Sequence, residues 1–183
     1  MVVQASRAGQ GGHFAAMARN KDMKREEKSL LKKLAAEPAL LFANPFESQC
    51  GALCYRRNAE TGALEFLLVT SRDSGRWIIP KGWPMKGKTL HRAAEIEARE
   101  EAGVRGKARK KPLGYFTYLK TYDDGTSVPC TVEVHLLEMQ RQDAAFREKG
   151  QREVEWMSAS EAARRVTLPE LKGLFALAER KLR

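Results

Sequence analysis

The sequence predicts an α/β sandwich, and three observations carry the prediction. From Cys50 onward, short runs rich in Val, Ile, Leu and aromatic residues are separated by Gly, Asn, Asp and Pro turn signals. One amphipathic helical stretch, Thr89 to Ala102, interrupts them, and the chain closes on apolar residues at helical spacing. The order is therefore an antiparallel-rich sheet with helices before, within and after it.

Taken in order, residues 1 to about 20 are rich in Gly, Ala and Gln and lack a periodic apolar pattern, the composition of a tail that buries too little surface to offset its ordering entropy. This segment has no acid and carries Arg7, Arg19 and, just beyond it, Lys21, a faint likeness to an organellar transit peptide. Asp22 to Ala36 reads as a charged helix with Leu30, Leu31 and Leu34 as its apolar stripe, and Pro38 to Pro45 as a linker. The domain boundary is thus placed between a basic extension, 1–45, and a folded domain, 46–183.

GALCYRR and ALEFLLVTSR, joined by a turn at Asn58 to Gly62, form a hairpin. RWIIP follows as a shorter strand and leads into a Gly- and Pro-rich loop, Lys81 to Lys88. Thr89 stands where a helix cap is wanted, and Gly103 where the helix should end. PLGYFTYLK and Val128 to Met139 pair around Asp123-Asp124-Gly125, REVEWMS adds a strand, and Ser158 or Ser160 caps a helix through Val166. Leu171, Leu174, Phe175 and Ala178 mark the apolar face of the last helix.

With 183 residues the chain holds one full core plus an appendage. No stretch approaches the roughly 18–20 apolar residues of a membrane span, so no membrane partner is expected. The 33 Lys and Arg against 23 Asp and Glu leave a formal charge of +10, which favours anionic ligands: phosphorylated compounds or nucleic acid. Cys50, Cys54 and Cys130 show no zinc or disulfide spacing, which points to buried apolar roles in a reducing, cytoplasmic setting.

Glu97, Glu100 and Glu101 are spaced i, i+3 and i+4, so on a helix their carboxylates rise from one face within a turn. Such like charges repel, and a hard divalent cation turns that repulsion into attraction. The competing reading is a solvated acidic face balanced by Lys88, Arg92 and Arg99; spacing alone favours it. The context changes the balance, because Pro80-Lys81-Gly82 precedes the helix directly after a strand and Gly103-Val104 follows it.

At these residues the chain resembles the Nudix hydrolase family, whose box reads G, five residues, E, seven residues, R-E-U-x-E-E-x-G-U, with U aliphatic. Gly82, Glu97, Ala98, Glu100, Glu101, Gly103 and Val104 fall on the box. Lys88 stands in place of its first Glu and Ile96 in place of its Arg, while Arg92, one turn earlier, is a candidate to reach the same region. The likeness extends through GALCYRR, LLVTSRDSGRWIIPKG, LGYFTY and REVEWMS, with the second of these most similar to diphosphoinositol and diadenosine polyphosphate phosphohydrolases.

The resemblance implies a Nudix-like α/β/α sandwich with a mixed sheet, and metal-dependent hydrolysis of a phosphoanhydride bond by in-line attack of water on a nucleoside or inositol polyphosphate. It implies Mg²⁺ or Mn²⁺ held by Glu97, Glu100 and Glu101, and a general base among the helix glutamates or at Glu153. The catalytic candidates are therefore Glu100, Glu101 and Glu153. Arg56, Ser71, Arg72, Arg76, Lys81 and Gly82 are the candidate substrate-binding residues, with Arg57 and Lys86 as further cations near the cleft.

Two other readings compete. Lys88 and Ile96 favour a degenerate domain that binds a phosphorylated ligand without turnover. The net charge and the run Arg105, Lys107, Arg109, Lys110, Lys111, read as a solvated loop, allow an RNA 5′-end pyrophosphohydrolase or weak RNA binding. The aromatics Trp77, Trp83, Tyr115, Phe116 and Tyr118 read as core, with Trp83 also placed to meet a base. Oligomeric state and metal preference leave no mark on the sequence.

Overall fold

The computed structural model describes residues 46–183. The charged helix and linker expected within residues 1–45 lie outside the described residues. Eight strands and three helices follow the expected order closely: β1 Glu47–Arg57, β2 Leu64–Thr70, β3 Trp77–Ile78, β4 Lys81–Gly82, α1 Leu90–Ala102, β5 Val104–Ala108, β6 Gly114–Thr121, β7 Ser127–Gln142, β8 Val154–Met157, α2 Ala159–Arg165 and α3 Pro169–Leu182.

The sheet is mixed. Its central order is β3-β2-β1-β7-β5, with β4 beside β1, β6 beside β7 and β8 beside β2. Most pairings are antiparallel, but the central one, β1 with β7, is parallel from Glu47↔Cys130 to Tyr55↔Glu138. A parallel pair needs a long crossover, and here it contains α1 and the five strands β2 to β6. Both strands of the pair are buried on both faces over much of their length, as the apolar runs GALCY and HLL require.

Local chemistry explains the boundaries. In the β1–β2 hairpin the Asn58 side chain accepts hydrogen bonds from the Glu60 and Thr61 amides, at 3.0 and 3.1 Å, and fixes the turn. α1 stops at Gly103, whose φ of 70° is left-handed and costs a glycine little. Thr89 occupies the N-cap position, yet its hydroxyl makes no capping bond and lies 3.3 Å from His91 Nε2. Ser158 does cap α2, accepting from the Glu161 amide at 3.2 Å.

Two segments differ from expectation. Val104 to Ala108, within the stretch read as a charged loop, is strand β5: Val104 and Ala108 point inward while Arg105 and Lys107 cover the outer face. Lys81 and Gly82, read as loop, pair with Gly51 and Cys50 of β1 as β4. The second difference matters most, because it clamps the start of the loop against the centre of the sheet.

The core lies on both faces of β1, β2 and β7. Ala93, Ala94, Ala98 and Ala102 of α1 pack on one side, a small-residue stripe that lets the helix approach the sheet. On the other side α3 contributes Leu171, Leu174, Phe175 and Ala178, with Phe175 meeting Phe66 edge to face at 5.7 Å. All three cysteines are free and buried, in keeping with apolar roles, and burial pushes the Cys50 thiol up to about 12.

Candidate active site

Alternation along β1 puts Cys50, Ala52, Cys54 and Arg56 on one face, and the first three lie beneath α1. Glu97 crosses onto Gly82. A Cβ at position 82 would lie 2.1 Å from the Glu97 carboxyl, so the missing side chain makes the space in which that carboxylate rests. Burial raises the pKa of Glu97 above the ordinary carboxylate value, and the charges of Glu100 and Glu148 raise it further.

Glu101 lies deeper, its side chain only 6% exposed. One carboxylate oxygen accepts the Lys81 amide at 3.2 Å and the other accepts Arg152 Nη2 at 2.7 Å. Burial dominates and pushes Glu101 up to about 7, against the opposing charges of Arg152 and Lys81. Glu100 is closer to solvent and accepts Arg147 Nη1 at 2.6 Å.

The loop between β7 and β8 completes the site, and helix physics explains why it docks there. The last carbonyls of a helix lack internal partners. Here the Glu148 amide donates to the Glu100 carbonyl at 3.1 Å, Gln142 Nε2 to that of Ala102 at 2.9 Å and the Asp143 amide to that of Gly103 at 2.8 Å. This seating brings Glu148 beside the helix glutamates. Arg152 then binds Glu148 through Nε at 2.6 Å, and Glu101 and the Thr70 carbonyl through its two terminal nitrogens.

Cations and aromatic rings gather around Lys81. The Lys81 amine lies 5.3 Å from the centre of the Tyr118 ring, and burial holds its pKa below the ordinary lysine value. The Lys120 amine lies between the rings of Trp83 and Tyr122, at 5.8 and 5.1 Å. Trp83 is 41% exposed, whereas Phe116 is buried, so the aromatics expected in the core divide between core and surface.

The other sequence candidates are distributed more widely. Arg72, exposed for about half its side chain, approaches Glu148 at 3.5 Å and so stands at the edge of the site. Ser71 and Arg76 close the β2–β3 turn, the Ser71 amide donating to the Arg76 carbonyl at 2.8 Å. Arg56, on the α1 face two residues past Cys54, pairs with Glu65 at 2.7 Å and stacks on Trp156 at 4.5 Å. Arg57 turns to the opposite face and binds the Leu182 carbonyl of α3. Glu153 is exposed, with its amide on Thr70 Oγ1 at 2.9 Å. Arg92 does not reach the acidic cluster: it pairs with Glu95 at 2.8 Å, because the i, i+3 partner on its own helix is nearer.

Arg147, Glu148 and Arg152 escaped the sequence reading. Only Arg152 had a signal, its place at the head of the REVEWMS run. Among the described residues no three acidic, histidine or cysteine side chains already converge as a metal cage. The residues fit a divalent cation nonetheless. The donors are hard oxygens, Gly82 leaves a cradle for one of them, and neighbouring carboxylates disfavour the charge on Glu97 in a way that a cation would relieve.

Linkage gives this site a pH signature. The folded value of Glu101 is raised from 4.5 to about 7, so its protonated form favours the fold. That contribution is fully present below pH 4.5 and is lost as pH rises to about 7. In metal-free buffer, the urea midpoint of the unsubstituted chain should therefore fall between pH 5 and 8 by more than that of a Glu101→Gln variant; equal slopes would contradict the assignment.

Residues 48–177 match the NUDIX domain family, and the chain belongs to it. Two Arabidopsis thaliana proteins are similar. Nudix hydrolase 13, mitochondrial, is 30% identical over 105 residues, covering 54% of this chain and 52% of that protein. Nudix hydrolase 12, mitochondrial, is 32% identical over 102 residues, covering 54% and 50%. The chain thus spans about half the length of these curated relatives.

Solved structures share the fold. A Caenorhabditis elegans Ap4A hydrolase in a binary complex superposes with a TM-score of 0.56 at 21% identity, over 74% of this chain and 97% of that one. The NUDIX domain of Shewanella oneidensis NrtR, complexed with ADP ribose, gives 0.57 at 15% identity, over 76% and 90%.

Proposed function

We propose that this protein hydrolyses a phosphoanhydride bond in a nucleoside or inositol polyphosphate, with Mg²⁺ or Mn²⁺ as cofactor. One observation carries the reading: Glu97, Glu100 and Glu101 share a helix face, and the docked loop adds Glu148 beside them. A bound divalent cation would supply charge neutralisation at the phosphate oxygens and activation of water. Glu97, Glu100, Glu101 and Glu148 are the residues that would hold it.

The protein side of the mechanism follows from charge and position. Lys81 and Arg72 border the acidic cluster, and Lys120, near Lys81, is a further cation suited to the remaining phosphates. Trp83, exposed beside Lys120, offers a face on which a nucleobase can stack. Glu101 lies within the acidic cluster whereas Glu153 is exposed outside it, which favours Glu101 over Glu153 as general base. The two plant relatives are named as Nudix hydrolases, and the Caenorhabditis elegans structure as an Ap4A hydrolase. These names support the reaction class and the choice of diadenosine polyphosphates as a first substrate.

The test is product analysis after incubation with diadenosine polyphosphates, nucleoside triphosphates, diphosphoinositol polyphosphate and triphosphorylated RNA, in Mg²⁺, Mn²⁺ or EDTA. Metal-dependent cleavage of one class is expected. Saturable binding without turnover would sink the hydrolase and favour the ligand-binding module to which Lys88 and Ile96 point.

A further inference from the structure

The acidic cluster is held together by a guanidinium that α1 does not supply. Position 96, just before Glu97, is an isoleucine; Arg92 is engaged with Glu95, and Arg99 is exposed. Arg152 enters from the far end of the β7–β8 loop instead. Its side chain is 7% exposed, and its three nitrogens reach Glu148, Glu101 and the Thr70 carbonyl at 2.6, 2.7 and 2.8 Å. A buried guanidinium that spans two carboxylates and a strand carbonyl fixes the spacing of those carboxylates as a single rigid unit.

We propose that Arg152 is the positioning residue of this site, the group that locks Glu101 of the helix to Glu148 of the loop so that both present their remaining oxygen lone pairs to a divalent cation. The proposal rests on the metal-binding reading of the acidic cluster. Arg152 contacts neither substrate nor water in this role. It acts through the two glutamates, and the carbonyl of Thr70 anchors it to the sheet. A lysine at 152 keeps the charge but loses the planar fork, so it can hold one carboxylate well and not both.

The experiment is a Mn²⁺ titration of the full chain, read by loss of the free-ion EPR signal, on the unsubstituted protein, Arg152→Met and Arg152→Lys. Outer partners of metal ligands typically set affinity by 10–100-fold, so Arg152→Met should weaken Mn²⁺ binding by about that factor and Arg152→Lys by less. At saturating Mn²⁺, kcat should fall while KM stays within about twofold, because substrate contacts are untouched. Should Arg152→Met fail to fold, by circular dichroism, Arg152→Lys carries the test, since it retains the buried charge.

Folded variants that bind Mn²⁺ as the unsubstituted chain does would overturn the proposal, leaving Arg152 a structural tie alone. Tighter binding by the variants would overturn it too, showing Arg152 to be a cation that competes with the metal. If the unsubstituted chain binds Mn²⁺ but hydrolyses nothing, the hydrolase reading falls alone and the titration decides Arg152 by itself. If it binds no Mn²⁺, both fall.

Discussion

Glu101→Gln is expected to lower turnover by about 10²–10³-fold, the range seen when one preorganised electrostatic group is removed from a site. The substitution preserves shape and keeps an oxygen for the Lys81 amide or for Arg152, but it removes the charge that a metal would meet and the base that would take a proton. Steady-state hydrolysis of whichever substrate the panel identifies, at saturating Mn²⁺, checks it. Because the buried carboxyl favours its protonated form, the folded domain should tolerate the neutral amide. An active Glu101→Gln protein would move the proton acceptor elsewhere, with Glu153 and Glu100 next in line.

The second large effect comes from the smallest change. Gly82→Ala adds a methyl group 2.1 Å from the Glu97 carboxyl, far inside contact distance. The Glu97 side chain can swing away, whereas Gly82 is clamped in β4 by its pairing with Cys50. The strain of overpacking, about 1–3 kcal/mol, should therefore appear partly as lost stability and mainly as a displaced carboxylate. Turnover and Mn²⁺ affinity should both fall by about 10–100-fold, as for the loss of support to a metal ligand. Calorimetry, metal titration and kinetics on this one variant check it. A variant with unchanged Mn²⁺ affinity would show that Glu97 is not a ligand.

What the sequence made legible was local. Asn58 to Gly62, Gly103 and Ser158 announce their turns and caps because the conformations they favour are set by a few neighbouring atoms. The face shared by Glu97, Glu100 and Glu101 is likewise a matter of helical spacing. β5 was obscured because Arg105 and Lys107, which cover its outer face, outweigh Val104, Gly106 and Ala108 in any reading by composition. Glu148 and Arg152 were beyond reach for a different reason. Their partners on α1, Glu100 for the Glu148 amide and Glu101 for Arg152, lie 48 and 51 positions away, and only the docking of a loop on spent helix carbonyls joins them. Arg92 illustrates the same limit, since proximity along a helix does not tell which acid its side chain will choose.

The parallel pairing of β1 with β7 has a further consequence, for the order in which the molecule is made. Every partner in that ladder is separated by roughly 80 residues of intervening chain, an interval that holds the whole of α1. Loops of that length close late, after local hairpins have formed. A ribosome that has released the acidic helix has not yet released β7, the β7–β8 loop or Arg152. The nascent helix therefore waits with its carboxylates unmatched, and no amino-terminal fragment ending before β8 should gain the finished site.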